Sequence, residues 1–270
     1  MGCATSRLNV PCEEAAIING ENLLLFYSRG IESIYKLLKD NSKGGKVGKK
    51  GMKAVKKELG TLAEEYQGKV EGFYNGLKDG DGIKLTTFTA LAALLCKGSG
   101  SEKANALFDA NDNDNQGKLS KSQITQMIDE IFDLATVKLP ELASPSDSSN
   151  EYTKESMQGY KEKIEKGKPK DKETLLKNVV GDLEEVDKAT FVAWFDNNDN
   201  RIWLGSTSLR LQLKKTGKKK SSGAKKPKAE DEVKEDPKEN PKEVPKEGKE
   251  HRKKGKEHHE EHHEEAPESS

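Results

Sequence analysis

The chain has 270 residues, with 47 lysines and arginines against 47 aspartates and glutamates, 35% charged residues and 32% hydrophobic ones. An ordinary domain carries about 25% charge, so this excess excludes one packed core along the whole length and implies a modest domain joined to unstructured segments. The net charge of zero argues against a surface built wholly for nucleic acid, and no run reaches the roughly 18 apolar residues that would span a bilayer.

At the amino terminus there is no secretory-type apolar stretch, and Cys3, Cys12 and Cys96 are too few and scattered for a disulfide framework or a zinc site, which fits a reducing, cytosolic setting. The opening "MGCATS" instead fits Met-Gly-x-x-x-Ser/Thr, with Gly2 as the N-myristoyl acceptor once Met1 is removed and Ser6 at the favoured position. Cys3 lies beside the anchored end, where a thiol is open to palmitoylation. One myristoyl chain holds a membrane marginally, with a partition constant of about 10⁴ M⁻¹, and a second chain makes residence stable. The competing reading is an ordinary glycine and an ordinary thiol. Residues 1–19 are expected to form the acylated segment, which places the protein on the cytoplasmic face of a membrane.

From residue 20 onward the apolar residues recur at helical spacing, as in Leu23, Leu24, Phe26, Tyr27, Ile31, Ile34, Tyr35, Leu37 and Leu38, so an all-α domain is expected over 20–213. Further helices are predicted at about 51–77, 86–97, 101–109, 120–134, 151–166, 171–181 and 187–195. Breaks are expected at Gly44 to Gly51, Gly98 to Ser101, Pro140 to Asn150 and Lys166 to Asp171. The segment "PELASPSDSSN" reads as a flexible connector between helical parts 20–139 and 151–213. The lysines from Lys43 to Lys57 can attract an anionic leaflet or serve as a solubilising loop.

The stretch "ALFDANDNDNQGKLSKSQITQMIDEIF" carries the most chemistry. A helix ending near Phe108 is followed by an oxygen-rich loop, a glycine, an apolar residue two positions on, and a second amphipathic helix, the arrangement of an EF-hand. With Gly117 at loop position six, Asp112 is position one, Asp114 three, Gln116 five, the Lys118 carbonyl seven, Ser120 nine and Gln123 twelve. Alternate residues of such a loop point inward, which suits a hard cation wanting six to eight oxygens. Gln123 replaces the usual bidentate glutamate and Gln116 is neutral, so calcium is expected to bind weakly, on the order of 10⁻⁴ M or poorer unless Asp109 helps, and magnesium to compete. The alternative is an Asn/Asp-rich turn that caps its own backbone.

The longer stretch "DGDGIKLTTFTALAALLCKGSGSEKANALFDANDNDNQGKLSKSQITQMIDEIF" resembles the second and third hands of the neuronal calcium sensor and calcineurin-B-like group. The resemblance rests on Asp79 to Gly82, Ile83, Phe88, the Gly98 to Ser101 linker, and Glu102 with Lys103. The paired Gly2 and Cys3 are similar to the amino terminus of the acylated flagellar calcium-binding proteins of protozoa. Their setting implies a plasma or flagellar membrane. The specific motifs cover only about residues 75 to 135. The resemblance implies paired EF-hands in two lobes, one recognisable and the others degenerate. With Ile83 at position eight the second hand begins at Gly76 and ends at Thr87. With Val186 there, the fourth begins at Val179, which has no side-chain oxygen. A first hand around residues 20 to 55 has Gly44, Gly45 and lysines but no acidic ligands. In that group Phe191, Trp194, Phe195, Trp203 and Leu204 would face a groove for a partner's helix, although core packing accounts for them equally.

Asp196, Asn198, Asp199 and Asn200 lack a glycine at position six and read as a helix-ending turn. The carboxyl-terminal part, 214–270, is expected to be a disordered tail of Lys, Glu, Pro and His, with a basic block from Lys214 to Lys228 and paired histidines at His258, His259, His262 and His263. Those histidines could chelate a transition metal on a helix, but solvation in a tail is the simpler reading. All five histidines lie in that tail, and no phosphate-cradling glycine motif is present, so no enzyme is expected. The sequence thus points to a membrane-tethered calcium sensor or buffer that regulates a protein partner. A calcium-insensitive anchored adaptor is the alternative, and nucleic-acid binding through the basic block is not expected.

Overall fold

The computed structural model describes residues 10–143 and 153–221. Gly2, Cys3, most of the connector and the histidine tail lie outside the described residues. The chain divides into Met1–Lys225 and Lys226–Ser270, and every described residue belongs to the first unit.

The fold is mostly helical. Its helices are α1 (Cys12–Asn22), α2 (Ile31–Asp40), α3 (Lys49–Leu59), α4 (Glu64–Gly76), α5 (Leu85–Leu95), α6 (Gly100–Asn111), α7 (Lys121–Asp133), α8 (Lys154–Val180), α9 (Lys188–Asp196) and α10 (Ser206–Ser221). Five short strands stand between them: β1 (Ser42–Lys43), β2 (Lys46–Gly48), β3 (Gly82–Lys84), β4 (Lys118–Ser120) and β5 (Glu185–Asp187). Strand β2 pairs antiparallel with β3, setting Val47 opposite Ile83, and β4 pairs antiparallel with β5, setting Leu119 opposite Val186. All four of these residues are buried, so each short ladder also pins two helix–loop–helix units to one core. Phe26, Phe88, Phe108, Phe132 and Phe191 are fully buried in that core.

Several expectations need correcting. The helix predicted over 51–77 is two helices, because Gly60 at φ +114° ends α3 in a backbone conformation that L side chains rarely adopt. The break expected from Lys166 to Asp171 is absent: α8 runs through Gly167 and Pro169. Its buried face, Met157, Tyr160, Ile164, Gly167, Asp171, Leu175 and Val179, keeps helical spacing across the proline, and burial of that face outweighs the lost N–H. The break expected from Gly44 to Gly51 is present, with Gly44 and Gly45 as the turn of the β1–β2 hairpin, but it is shorter than expected because α3 already starts at Lys49. Helix α1 starts at Cys12, inside the segment assigned to the amino-terminal anchor, and α10 continues past Lys214, where the tail was expected to begin.

Phe191, Phe195, Trp203 and Leu204 are buried, and Trp203 stacks on Phe132 with ring centroids 6.2 Å apart, so these side chains fill the core. Asp196 ends α9, and the Asn197 and Asn200 side chains bond the backbone around it, as a helix-ending turn requires. No helix among the described residues is long and apolar enough to cross a membrane.

Candidate metal loop

Helix α6 is set by a reciprocal cap. The Ser99 hydroxyl accepts from the Glu102 N–H at 3.1 Å, while the Ser99 N–H donates to the Glu102 carboxylate at 2.6 Å. The helix buries Ala104, Leu107 and Phe108 and ends at Asp112, whose N–H still reaches the Phe108 carbonyl. From there the chain must turn back to enter β4. Asn115 at φ +54° and Gly117 at φ +71° make that turn, the second in a region that favours glycine.

The loop closes around Asp112. One of its carboxylate oxygens accepts from the Gln116 N–H and the other from the Gly117 N–H, both at 2.9 Å. These donors hold the carboxylate inside the turn. Asp114 is exposed, and its carbonyl accepts from the Gln116 side-chain amide at 3.2 Å, which leaves the Gln116 amide oxygen for another partner. Lys118 and Ser120 follow in β4, with Leu119 anchored in the core between them.

Gln123 joins the two ends of the loop. Its oxygen accepts from the Ser120 N–H and hydroxyl, both at 2.8 Å, and its amide donates to the Asn111 carbonyl at 3.1 Å. Ser120 in turn accepts from the Gln123 N–H, completing a capping box at the start of α7. Sequence reading placed Gln123 as an end-of-loop ligand and missed this cap, although the Ser-x-x-Gln spacing signals it. Asp109 is held by Lys188 at 2.7 Å and so is engaged elsewhere.

The six residues read from the sequence, Asp112, Asp114, Gln116, Lys118, Ser120 and Gln123, therefore lie around one turn. In number their oxygens suit a hard cation, but only two are carboxylates, and the Gln123 oxygen faces the cap. Among the described residues no three His, Cys, Asp or Glu side chains cluster as a metal-holding group.

The other loops carry different chemistry. Gly45 at φ +72° precedes Val47 by the same interval as Gly117 precedes Leu119, yet its hairpin contributes lysines. The Lys46 ammonium donates to the Asp79 carbonyl at 2.9 Å and pairs with its carboxylate at 3.3 Å. Hydrogen bonding and charge from Lys46, then Lys84, hold the Asp79 carboxyl below its ordinary range. Asp187 caps α9 through the Thr190 N–H and hydroxyl. Comparison with known proteins finds no matching family model, no matching curated protein and no matching solved structure.

One cluster had no counterpart in the sequence reading. Arg210 of α10 is fully buried and donates to Glu14 and Glu21 of α1 and to the Ala135 carbonyl. The backbone between α7 and Leu139 is a π-helix over Leu134–Lys138, so the Leu139 N–H bonds Leu134. The next donor in that ladder would be Pro140, which has no N–H, and Arg210 satisfies the Ala135 carbonyl instead. The available signal was Glu14, Ile17 and Glu21 at helical spacing, which put two acids on one buried face.

Proposed function

We propose that this chain is a membrane-tethered EF-hand protein that binds calcium at the Asp112 loop and regulates a partner protein. The observation that carries the reading is the register of the strands. Ile83, Leu119 and Val186, the residues at position eight of three separate loops, all sit in strands, with Leu119 directly opposite Val186 and Ile83 opposite Val47. Pairing through that position is how helix–loop–helix hands support one another, so the Val186 loop, whose Asp187 is committed to the cap of α9, still holds the Asp112 loop in shape. Asp112, with both oxygens gathered by loop N–H groups, is the residue on which a cation site would be built.

Calcium would draw on Asp112, Asp114, Gln116, the Lys118 carbonyl, Ser120 and Gln123, supplying a charge that pulls these oxygens together and tilts α6 against α7. Gln123 would have to leave the Ser120 cap to join, which adds a cost to an already low-charge site. Gly2 and Cys3 supply the tether through myristoyl and palmitoyl chains.

A second reading is favoured by one specific observation. The Gln123 oxygen serves a helix cap, and with that cap kept the fold acts as a calcium-insensitive anchored adaptor. Isothermal titration of the full chain with calcium, beside Gln123→Glu, separates the two. Heat release with a change in helix signal for the wild type supports the sensor; silence at millimolar calcium in both proteins defeats it. Intact-mass measurement of protein from its native source tests the tether directly.

A further inference from the structure

Helices far apart in sequence meet at the start of α1. Arg210 grips Glu14 across a sequence separation of 196 residues, and the Tyr160 hydroxyl of α8 donates to the same carboxylate at 2.6 Å. One turn beyond Arg210, the Lys214 ammonium lies over the Tyr160 ring, 4.7 Å from its centroid. Helices α8 and α10 cross at two glycines with no room to spare. A Cβ at Gly167 would stand 2.1 Å from the Leu213 carbonyl oxygen, and one at Gly217 would stand 2.2 Å from that of Lys163.

The crossing gathers Lys163, Lys214 and Lys218 beside the point where the chain enters α1. Burial first, then repulsion from Lys218 and Lys163, outweighs the attraction of Glu13 and Glu14 and holds the Lys214 ammonium below its ordinary range. Of the two acids near Lys214, Glu14 is already committed to Arg210 and Tyr160, and Glu13, half-buried on α1, offsets part of the positive charge. Lys163 and Lys218 are exposed, so the positive charge faces outward.

We propose that Lys163, Lys214 and Lys218 form a headgroup-binding cluster that seats the anionic phosphates of a bilayer next to the acylated amino terminus. The inference rests on the tether reading above, because the segment from Gly2 to Cys12 extends no further than about 35 Å and so keeps this face close to any membrane the acyl chains enter. Lipid anchors of one or two chains gain stability from a basic patch, and each lysine near an anionic surface multiplies partitioning by about five-fold at low ionic strength. The cluster is thus an electrostatic second signal, assembled by tertiary contact from α8 and α10 rather than by a run of sequence beside the lipid.

The test is sedimentation of the full chain, with and without N-myristoylation, on vesicles of phosphatidylcholine alone or mixed with phosphatidylserine. The expected result is a phosphatidylserine-dependent, salt-sensitive increment in both forms. Lys163→Gln/Lys214→Gln/Lys218→Gln should reduce that increment on the order of 100-fold. Lys163→Gln/Lys218→Gln, which spares the ring contact of Lys214, guards against a folding defect and should reduce it about 25-fold. A control with Lys49→Gln/Lys53→Gln/Lys57→Gln on α3 removes the same charge elsewhere and should lose far less. Equal losses in the two triple variants, an increment indifferent to phosphatidylserine, or tighter binding to duplex DNA than to these vesicles would overturn the proposal. The unmodified chain reads the cluster alone, while the native intact mass reads the tether alone, so either can fail without the other.

Discussion

Arg210 and Glu14 form an ion pair with both side chains fully excluded from solvent, the guanidinium reaching the carboxylate at 2.6 Å. Glu21 adds a second carboxylate at 2.7 Å, with Ser206 and Tyr160 as supporting donors. The pair ties α1 to α10 through the interior. Replacing one partner leaves the others buried and unpaired, which costs about 3–5 kcal/mol, a large share of the 5–15 kcal/mol typical of a whole domain. Arg210→Met should therefore lower the urea midpoint sharply. The combined Arg210→Met/Glu14→Leu/Glu21→Gln variant should recover much of the loss, and a triple variant no more stable than the single one would show that the charges are not the cause.

Lys103 gives a pH signature. Its ammonium is taken up largely inside the fold, donating to the Leu204 carbonyl at 2.9 Å, and burial pushes its pKa down to about 8. The unfolded chain keeps that proton until about pH 10.4, so between these values it binds more protons than the folded chain. Stability from this group accordingly rises as pH increases through 8. Urea melts of wild type and Lys103→Met at about pH 7.5 and 9.5 should show the gap between them shifting in favour of the wild type at the higher pH. A constant gap would disprove it.

Asp171 works in the opposite sense. It is 4% exposed; one carboxylate oxygen accepts from Thr216 at 3.1 Å, and the other has no hydrogen-bond partner among the described residues. Burial raises its pKa, so its favourable contribution is complete below the ordinary aspartate range and is lost as pH rises through the raised value. Asp171→Asn removes the buried charge and should stabilise the protein by about 1 kcal/mol at neutral pH. Calorimetry should show that gain shrinking towards pH of about 4.

At the loop, glutamate in place of Gln123 retains the capping box, since Ser-x-x-Glu caps as well as Ser-x-x-Gln. Gln123→Glu should then strengthen calcium binding by at least about ten-fold, while the calcium-free protein loses about 1 kcal/mol because a carboxylate cannot donate to the Asn111 carbonyl. Ser120→Ala should also cost about 1 kcal/mol, because the first turn of α7 loses its side-chain acceptor, but without strengthening calcium binding. Calcium titrations and thermal melts of the two variants separate ligand from cap.

Local pattern made much of this molecule readable in advance. Helical spacing marked the stretches around Leu85–Leu95, Lys121–Asp133 and Lys188–Asp196, and the interval from glycine to apolar residue found Leu119, which is a strand residue opposite Val186. Such signals are legible because caps, turns and periodicity are set by residues within a few positions of each other. The Asp112 loop belongs to this class, as all its internal bonds span five residues or fewer apart from the Gln123 link to Asn111.

Contacts across the chain were decided only by the tertiary structure. Glycine and proline at Gly167 and Pro169 read as a break, but packing of α8 on α10 makes the glycine a crossing point and carries the helix through. Glu14, Glu21 and Arg210 look like ordinary surface charges until folding removes water from all three at once. Burying one alone would be prohibitive, and only the partner brought in from the far end of the chain makes the other two tolerable. Short-range steric and capping energies wrote the helices and the loop into the sequence, whereas desolvation and close packing, which depend on every segment arriving together, determined where the two ends of the fold meet.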